Sequence, residues 1–180
     1  MGKIIWFTGL SGSGKTTIAK ALARRLRTAG GKVKILDGDA VRKIKHKHLG
    51  FSRKDIRENN RLIAEMAKTA GKTFDFVLVP IISPYSSDRT MVRKLIGDDF
   101  IELYINTPLK DCIKRDVKGL YKKVLAGEIK NFIGISSNSP YQPPKSPNLE
   151  INTMNYSLKE SVKIISDYLH KNFYENKKIK

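Results

Sequence analysis

Nine consecutive residues near the start of the chain, Gly9-Leu10-Ser11-Gly12-Ser13-Gly14-Lys15-Thr16-Thr17, fit the pattern G-x-x-x-x-G-K-[ST]. Glycines at 9, 12 and 14 let the backbone turn so that successive amide N–H groups point inward and make a nest for an anion. A helix that follows adds the positive end of its dipole to that nest. Lys15 can then reach the β- and γ-phosphates of a nucleoside triphosphate, and Thr16 can offer its hydroxyl to Mg²⁺. A glycine-rich turn that binds nothing would not need strand, loop, Lys-Thr and helix in this order, so the stretch predicts triphosphate binding. What receives the phosphate is a separate question.

A second cluster bears on that question. Asp37-Gly38-Asp39, followed by Arg42, places two carboxylates around a glycine. Such a pair can organise Mg²⁺ and accept a proton from an attacking hydroxyl, with Asp37 and Asp39 both suited to the role of base. The same residues also suit a plain Asp-Gly turn with Asp39 capping a short helix. Beside a phosphate loop the catalytic reading is preferred. His46 and His48 lie in a basic run, Lys43 to His48, but no third ligand has suitable spacing, so a solvated loop is expected there.

The elements that must position these groups follow from apolar periodicity. Ile4-Ile5-Trp6-Phe7 reads as a buried parallel strand. Ile18, Ala21, Leu22 and Leu26 recur at helical spacing over Lys15 to Thr28, with Gly30-Gly31 as the C-terminal cap. Lys32 to Leu36 reads as a second strand that delivers Asp37 and Asp39 to the carboxyl edge of an open sheet, where ligands collect. Ser52, with Asp55 as capping-box partner, opens a helix to Gly71 whose stripe is Ile56, Ile63, Met66, Ala67 and Ala70. Phe74 to Ile82 is a near-continuous apolar run suited to a strand covered on both faces, with Pro80 where pairing ends.

That strand empties into Ser83-Pro84-Tyr85, with Asp88, Arg89 and Arg93 on a following helix. Phe100 to Ile105 is a fourth strand, and Thr107-Pro108 opens another helix as N-cap and first position. From Arg115 to Asn148 a short basic helix beginning at Lys118 and a Ser/Asn/Pro-rich stretch read as a lid that closes over phosphates. Leu149 to Asn152 is a fifth strand. Ser157 with Glu160 caps the last helix, and the charged tail from Glu175 to Lys180 is expected to fray. Five strands alternating with helices give one α/β domain over residues 1–180, a doubly wound, mostly parallel sheet with helices on both faces.

Composition bounds the rest. At 180 residues and 40% hydrophobic content the chain can bury a real core. The longest apolar stretch, Phe76 to Ile82, is too short to span a bilayer, and the first residues show no charged n-region with a long apolar h-region, so no secretory leader is expected. Trp6 stands where a myristoylation signal would need Ser or Thr. These features predict a cytoplasmic protein without a membrane partner. Cys112 is the one cysteine, which excludes an internal disulfide framework and suits a small core position. The net charge of +18 draws anions in. The basic residues are spread along the chain with no interleaved aromatic platform, so two polyanionic nucleotides are favoured over nucleic acid as partner.

Beyond the phosphate loop, further stretches carry a resemblance. They are Asp37-Gly38-Asp39 with Arg42, Leu49-Gly50-Phe51-Ser52, Ile82-Ser83-Pro84-Tyr85, Arg115-Asp116-Val117-Lys118-Gly119-Leu120-Tyr121-Lys122-Lys123 and Ala126-Gly127-Glu128-Ile129-Lys130-Asn131-Phe132. Together they resemble the adenylylsulfate kinases, P-loop enzymes that use MgATP to phosphorylate the 3′-hydroxyl of adenosine 5′-phosphosulfate. The resemblance covers nearly the whole chain. It implies that Gly9 to Thr17 and Arg115 bind ATP, with Arg115 near the adenine, and that Thr16 and Asp37 hold Mg²⁺. It implies that Phe51 and Phe132 sandwich the acceptor base and that Arg42, Asn59 and Lys118 hold its ribose and anionic groups. Ile82, Ser83 and Asp39 complete the acceptor side. Ser83 matches a serine that can appear phosphorylated in the family, and family members often form homodimers.

Three residues depart from the family pattern. Ile56 stands where an anion-binding arginine is expected, and one step along a helix turns a side chain by roughly 100°, so Arg57 cannot simply replace it. Ile133 replaces a threonine and Ser136 an aspartate. All three fall on the acceptor side. Adenosine 5′-phosphosulfate is the first acceptor the resemblance implies, and another activated nucleotide, such as cytidine diphosphoramidate, is the alternative.

Overall fold

The computed structural model describes residues 1–44 and 47–174, so His46 and the tail from Glu175 lie outside it. Its elements, in chain order, are β1 (Lys3–Thr8), α1 (Lys15–Thr28), β2 (Val33–Ile35), α2 (Gly38–Ile44), α3 (Arg53–Ala70), β3 (Phe76–Pro80) and α4 (Ser86–Ile96). They continue as β4 (Phe100–Asn106), α5 (Leu109–Arg115), α6 (Leu120–Leu125), β5 (Leu149–Asn152) and α7 (Leu158–Leu169), with a π-helical turn at His170–Tyr174.

The strands form one sheet in the order β2-β3-β1-β4-β5, and all four pairings are parallel. Such a sheet must be covered on both faces. The period-two alternation of β1 shows how: Ile5 and Phe7 enter one apolar cluster with Ile18, Leu22 and Leu26 of α1 and Val162, Ile165 and Leu169 of α7. Ile4 and Trp6 enter the other, with Ile63, Ala64 and Ala67 of α3 and Val92 and Ile96 of α4. Each fully buried large side chain in these layers contributes on the order of 1.5–3 kcal/mol.

β1 is flanked by β3 on one side and β4 on the other, so the chain reverses its direction of travel across the sheet at β1. The carboxyl ends of these strands therefore frame the crevice where ligands bind in doubly wound folds.

Local signals held where their partners were local. Gly30 takes a φ of 85°, and the N–H groups of Gly30 and Gly31 bond the carbonyls of Arg27 and Leu26 at 2.9 and 3.0 Å, closing α1 as expected. Ser157 and Glu160 complete a reciprocal capping box on α7. Pro80 is the last residue of β3, paired beside Phe7.

Several expected boundaries move. The second strand shrinks to three residues and the third to five. At α3 only half of the capping box forms: the Asp55 N–H donates to Ser52 Oγ at 3.1 Å, while the Ser52 hydroxyl donates to Asp55 Oδ2 at 2.7 Å. The cap of α2 is Asp37 and not Asp39, because Asp37 Oδ1 accepts from the N–H groups of Asp39 and Ala40 at 3.1 and 3.3 Å. Pro108, not Thr107, is the N-cap of α5, since the Thr107 hydroxyl is engaged elsewhere. Among the described residues no helix is long and apolar enough to cross a membrane.

Candidate functional site

The loop between β1 and α1 has the conformation its glycines predict: φ is 151° at Gly9, 73° at Gly12 and 103° at Gly14. A methyl at Gly9 would lie 2.5 Å from the Ile105 carbonyl oxygen, and one at Gly12 3.2 Å from that of Cys112, so the loop is wedged between β4 and α5. Lys15 Nζ donates to the carbonyls of Gly9 at 2.9 Å and Leu10 at 2.6 Å, with Ser13 Oγ at 3.4 Å. Burial, with the nearby Lys118 as the next cause, brings the Lys15 pKa down from 10.5 to about 8. Its ammonium is therefore held at the nest and only weakly compensated there.

The carboxylate cluster meets this loop. Thr16 Oγ1 donates to Asp37 Oδ2 at 2.9 Å, and Asp39 forms an ion pair with Lys118, which arrives from the start of the 115–148 segment. Lys118 is positioned by the turn that opens α6, where the N–H groups of Tyr121 and Lys122 bond the Asp116 carboxylate at 3.0 and 2.9 Å. A hydroxyl and a carboxylate side by side at an anion nest suit Mg²⁺, which keeps most of its water and takes few protein ligands. Among the described residues no group of three His, Cys, Asp or Glu side chains could hold a metal ion on its own.

On the far side, Arg42 Nη1 donates to the carbonyls of Leu49 and Gly50 at 3.1 and 2.6 Å, and its guanidinium lies 4.6 Å from the centre of the Phe51 ring. Phe51 itself is 69% exposed, a large apolar face turned to solvent. Phe132 meets Tyr121 edge-on, their ring centres 5.1 Å apart. Asn59 is buried on α3. Ile56 is buried too, while the arginines around it in sequence turn away: Arg53 Nη2 and Arg57 Nη1 bond the fully buried Asp88 carboxylate at 2.8 and 3.1 Å.

Ile82 and Ser83 sit where β3 ends. The Thr8 hydroxyl donates to the Ile82 carbonyl at 2.7 Å, and the Gly9 N–H reaches the same oxygen at 3.4 Å, so this corner abuts the phosphate loop. Ser83 adopts a φ of 44°, unusual for a residue with a side chain, and its buried Oγ has no partner among the described residues. Arg89 Nη1 donates to the Ser83 carbonyl at 2.8 Å and Arg89 Nη2 to that of Gln142 at 2.7 Å.

Arg115 closes the opposite end. It donates to Thr153 Oγ1 at 3.1 Å; that hydroxyl is 2.6 Å from Thr107 Oγ1, which donates to the Ser13 carbonyl at 2.9 Å. Contacts thus join Lys15, Thr16, Asp37, Asp39, Lys118, Ile82 and Arg115 at or beside the phosphate loop, with Ser83 next to it in the chain. Arg42 with Phe51, and Phe132 with Tyr121, form two further groups in the loops, and Asn59 is buried on α3. Sequence reasoning missed five residues that brace the phosphate loop and its neighbours: Thr107, Thr153 and Arg89, Tyr121, whose hydroxyl donates to the Ser11 carbonyl, and Tyr141, whose hydroxyl lies 2.9 Å from that of Thr8. Thr107 had a legible signal, a threonine directly after a buried strand at the ligand edge of the sheet.

Comparison with known proteins gives this crevice a context. The adenylylsulphate kinase family model matches residues 1–152. The adenylyl-sulfate kinase of Pseudomonas entomophila is 49% identical over 166 residues, 92% of this chain and 79% of its own. That of Halothermothrix orenii is 46% identical over 175 residues, 97% of this chain and 93% of its own. A solved structure of the Mycobacterium tuberculosis APS kinase in complex with AMPPNP and APS superposes with a TM-score of 0.89 at 43% identity, covering 94% of this chain and 98% of its own. A gluconokinase from Sinorhizobium meliloti, 15% identical with a TM-score of 0.62, shares the fold alone. The family match takes in the phosphate loop, both aspartates and all five strands, and on that extent and identity the chain belongs to the adenylylsulfate kinase family.

Proposed function

We propose that the chain transfers the γ-phosphoryl group of ATP to the 3′-hydroxyl of adenosine 5′-phosphosulfate, giving 3′-phosphoadenosine 5′-phosphosulfate and ADP. The observation that carries this reading is the meeting of Lys15, the Thr16–Asp37 pair and the Asp39–Lys118 pair at one anion nest. Phosphoryl transfer needs alignment and charge neutralisation more than covalent chemistry. Lys15 turns from the loop carbonyls to the β- and γ-phosphate oxygens, and the loop amides hold the same oxygens. Asp39, once Lys118 moves to the acceptor's phosphate, is free to take the 3′-hydroxyl proton; Asp37 faces the same space, and either carboxylate suits the base.

Thr16 and Asp37 would hold Mg²⁺, which would supply neutralisation of phosphate charge there. Phe51 and Phe132 hold the acceptor base, Arg42 and Asn59 its ribose, and Ile82 and Ser83 line the corner beside it. Arg115, anchored on Thr153, takes the adenine side of ATP. The 115–148 segment serves as the lid of a single domain, carrying Lys118 over the phosphates and shutting out water. With ATP as donor the protein works in the cytoplasm, and a homodimer is proposed on the family resemblance, to be checked by sedimentation.

One observation favours a second acceptor. Ile56 is buried where the family pattern expects an anion-binding arginine, and Arg53 and Arg57 are engaged by Asp88. With no guanidinium at that position to read the sulfate, another activated nucleotide, such as cytidine diphosphoramidate, is the second acceptor to test. ADP release against a panel of nucleotides decides. Turnover with adenosine 5′-phosphosulfate is the expected result, and turnover with the cytidine nucleotide alone transfers the assignment. Hydrolysis stimulated only by RNA or DNA would overturn both.

A further inference from the structure

Tyr121 stands between the two halves of the site. It is the second residue of α6 and is 1% exposed. Its hydroxyl donates to the Ser11 carbonyl at 2.9 Å, inside the phosphate loop. Its ring meets Phe132 edge-on, at an interplanar angle of 72°. One side chain therefore touches both the triphosphate nest and an aromatic ring on the acceptor side. Burial pushes its phenol well above the ordinary range, so the hydroxyl stays a donor and the Ser11 carbonyl receives the bond at working pH.

The geometry of the peptide gives this bond a consequence. In a trans peptide the carbonyl and the next residue's N–H point in opposite directions. Holding the Ser11 carbonyl against Tyr121 fixes the Gly12 N–H on the other side of the plane. Gly12, at φ 73°, has no side chain to fix it otherwise. A second brace lies close by: a methyl at Gly134 would fall 2.5 Å from Leu10 Cδ2, so the turn that follows Phe132 is packed down on the same loop.

We propose that Tyr121 is a positioning residue that couples the two nucleotide sites, pinning the Ser11–Gly12 peptide with its hydroxyl and the Phe132 ring with its edge. A filled nest then stabilises the arrangement of α6 and Phe132 that receives the acceptor base, and an acceptor stacked on Phe132 stabilises the nest by the same factor. This rests on the reading of Gly9–Thr17 as the triphosphate loop and of Phe132 as an acceptor platform.

Calorimetry on the full chain tests it, with AMPPNP in the donor site and, as acceptor, the nucleotide that the turnover panel selects. A wrong acceptor assignment then shows in turnover and leaves the coupling measurable. The wild-type chain is expected to bind the acceptor at least about fivefold more tightly once AMPPNP is present. Tyr121→Phe keeps the ring contact and removes the hydroxyl. It should bring that ratio below about twofold and loosen AMPPNP alone by roughly three- to tenfold, the loss of one hydrogen bond. A wild-type ratio in Tyr121→Phe, or an unchanged AMPPNP affinity, overturns the proposal.

Phe132→Leu supplies the complementary arm. It retains the hydroxyl, so AMPPNP affinity alone should stay within about twofold of wild type while the ratio collapses; a retained ratio overturns the coupling whether or not Tyr121→Phe folds. Should no nucleotide turn over, the kinase reading falls on that result, and an AMPPNP affinity unaffected by Tyr121→Phe would still overturn the hold on the nest.

Discussion

Lys15 carries the most consequence per atom. Its ammonium rests on the Gly9 and Leu10 carbonyls, and its pKa lies near 8 because it is buried and Lys118 is close. A triphosphate arriving beside it raises that value, since an adjacent anion favours the charged form. The sign follows. Above about pH 8 the free protein has a neutral Lys15 that must gain a proton on binding, so AMPPNP affinity should fall as pH rises, approaching tenfold per unit until the bound-state pKa is reached. Calorimetry in buffers of different ionisation enthalpy should show proton uptake there. Lys15→Arg stays charged and should flatten the profile whatever its affinity, and Lys118→Ala should move the onset to higher pH. A profile in Lys15→Arg as steep as the wild type's would assign the titration to another group.

Two helix contacts hold the site in shape. Asp88, fully buried on α4, receives Arg53 and Arg57 from α3. Asp88→Ala removes the partner of two guanidiniums that are each about half exposed, so the loss should be roughly 1–3 kcal/mol in urea unfolding, below that of a fully buried pair. At the start of α6, Asp116 accepts the N–H groups of Tyr121 and Lys122. Asp116→Ala should loosen the turn locally and speed hydrogen exchange at those two amides, while the amides of β1 and β3 stay protected. Equal protection in variant and wild type would show that packing alone holds the turn. These contacts also mark what sequence can and cannot convey. The phosphate loop and the Ser157–Glu160 box are legible because every partner lies within a few residues. Thr107 reads as a helix cap because that is its local option, yet its hydroxyl serves Ser13, 94 positions earlier. Tyr121 reaches Ser11 across 110 positions and Tyr141 reaches Thr8 across 133, pairings that exist only once the sheet has brought the ends of β1 and the 115–148 segment together. Asp37 rather than Asp39 caps α2 because the turn at Gly38 aims its carboxylate at the two exposed N–H groups, a choice the D-G-D pattern leaves open.

At the scale of the whole molecule the excess of 35 basic over 17 acidic residues gives a field of one sign. Its sources are dispersed: Lys20, Arg24 and Arg27 are exposed on α1, Lys122 and Lys123 on α6, and Lys159 and Lys163 on α7. Dispersed charge does not build a groove that tracks a nucleic-acid backbone, but it raises the local concentration of small polyanions around the crevice. Inside the site the contacts are short and shielded, whereas the approach is through solvent, where at 0.1 M salt a charge is felt over about 10 Å. Added salt should therefore act on encounter and leave the chemical step nearly untouched. Between about 0.02 and 0.5 M potassium chloride, kcat/KM for both nucleotides should fall several-fold while kcat changes by less than about twofold. Reversing Arg24 and Lys159 to glutamate, exposed positions on α1 and α7 outside the site residues, should reduce the salt slope and leave kcat alone. If kcat fell in step with kcat/KM, the salt would be acting on Lys15 and Lys118 in the closed site, and the surface charge would have no part in delivering substrate.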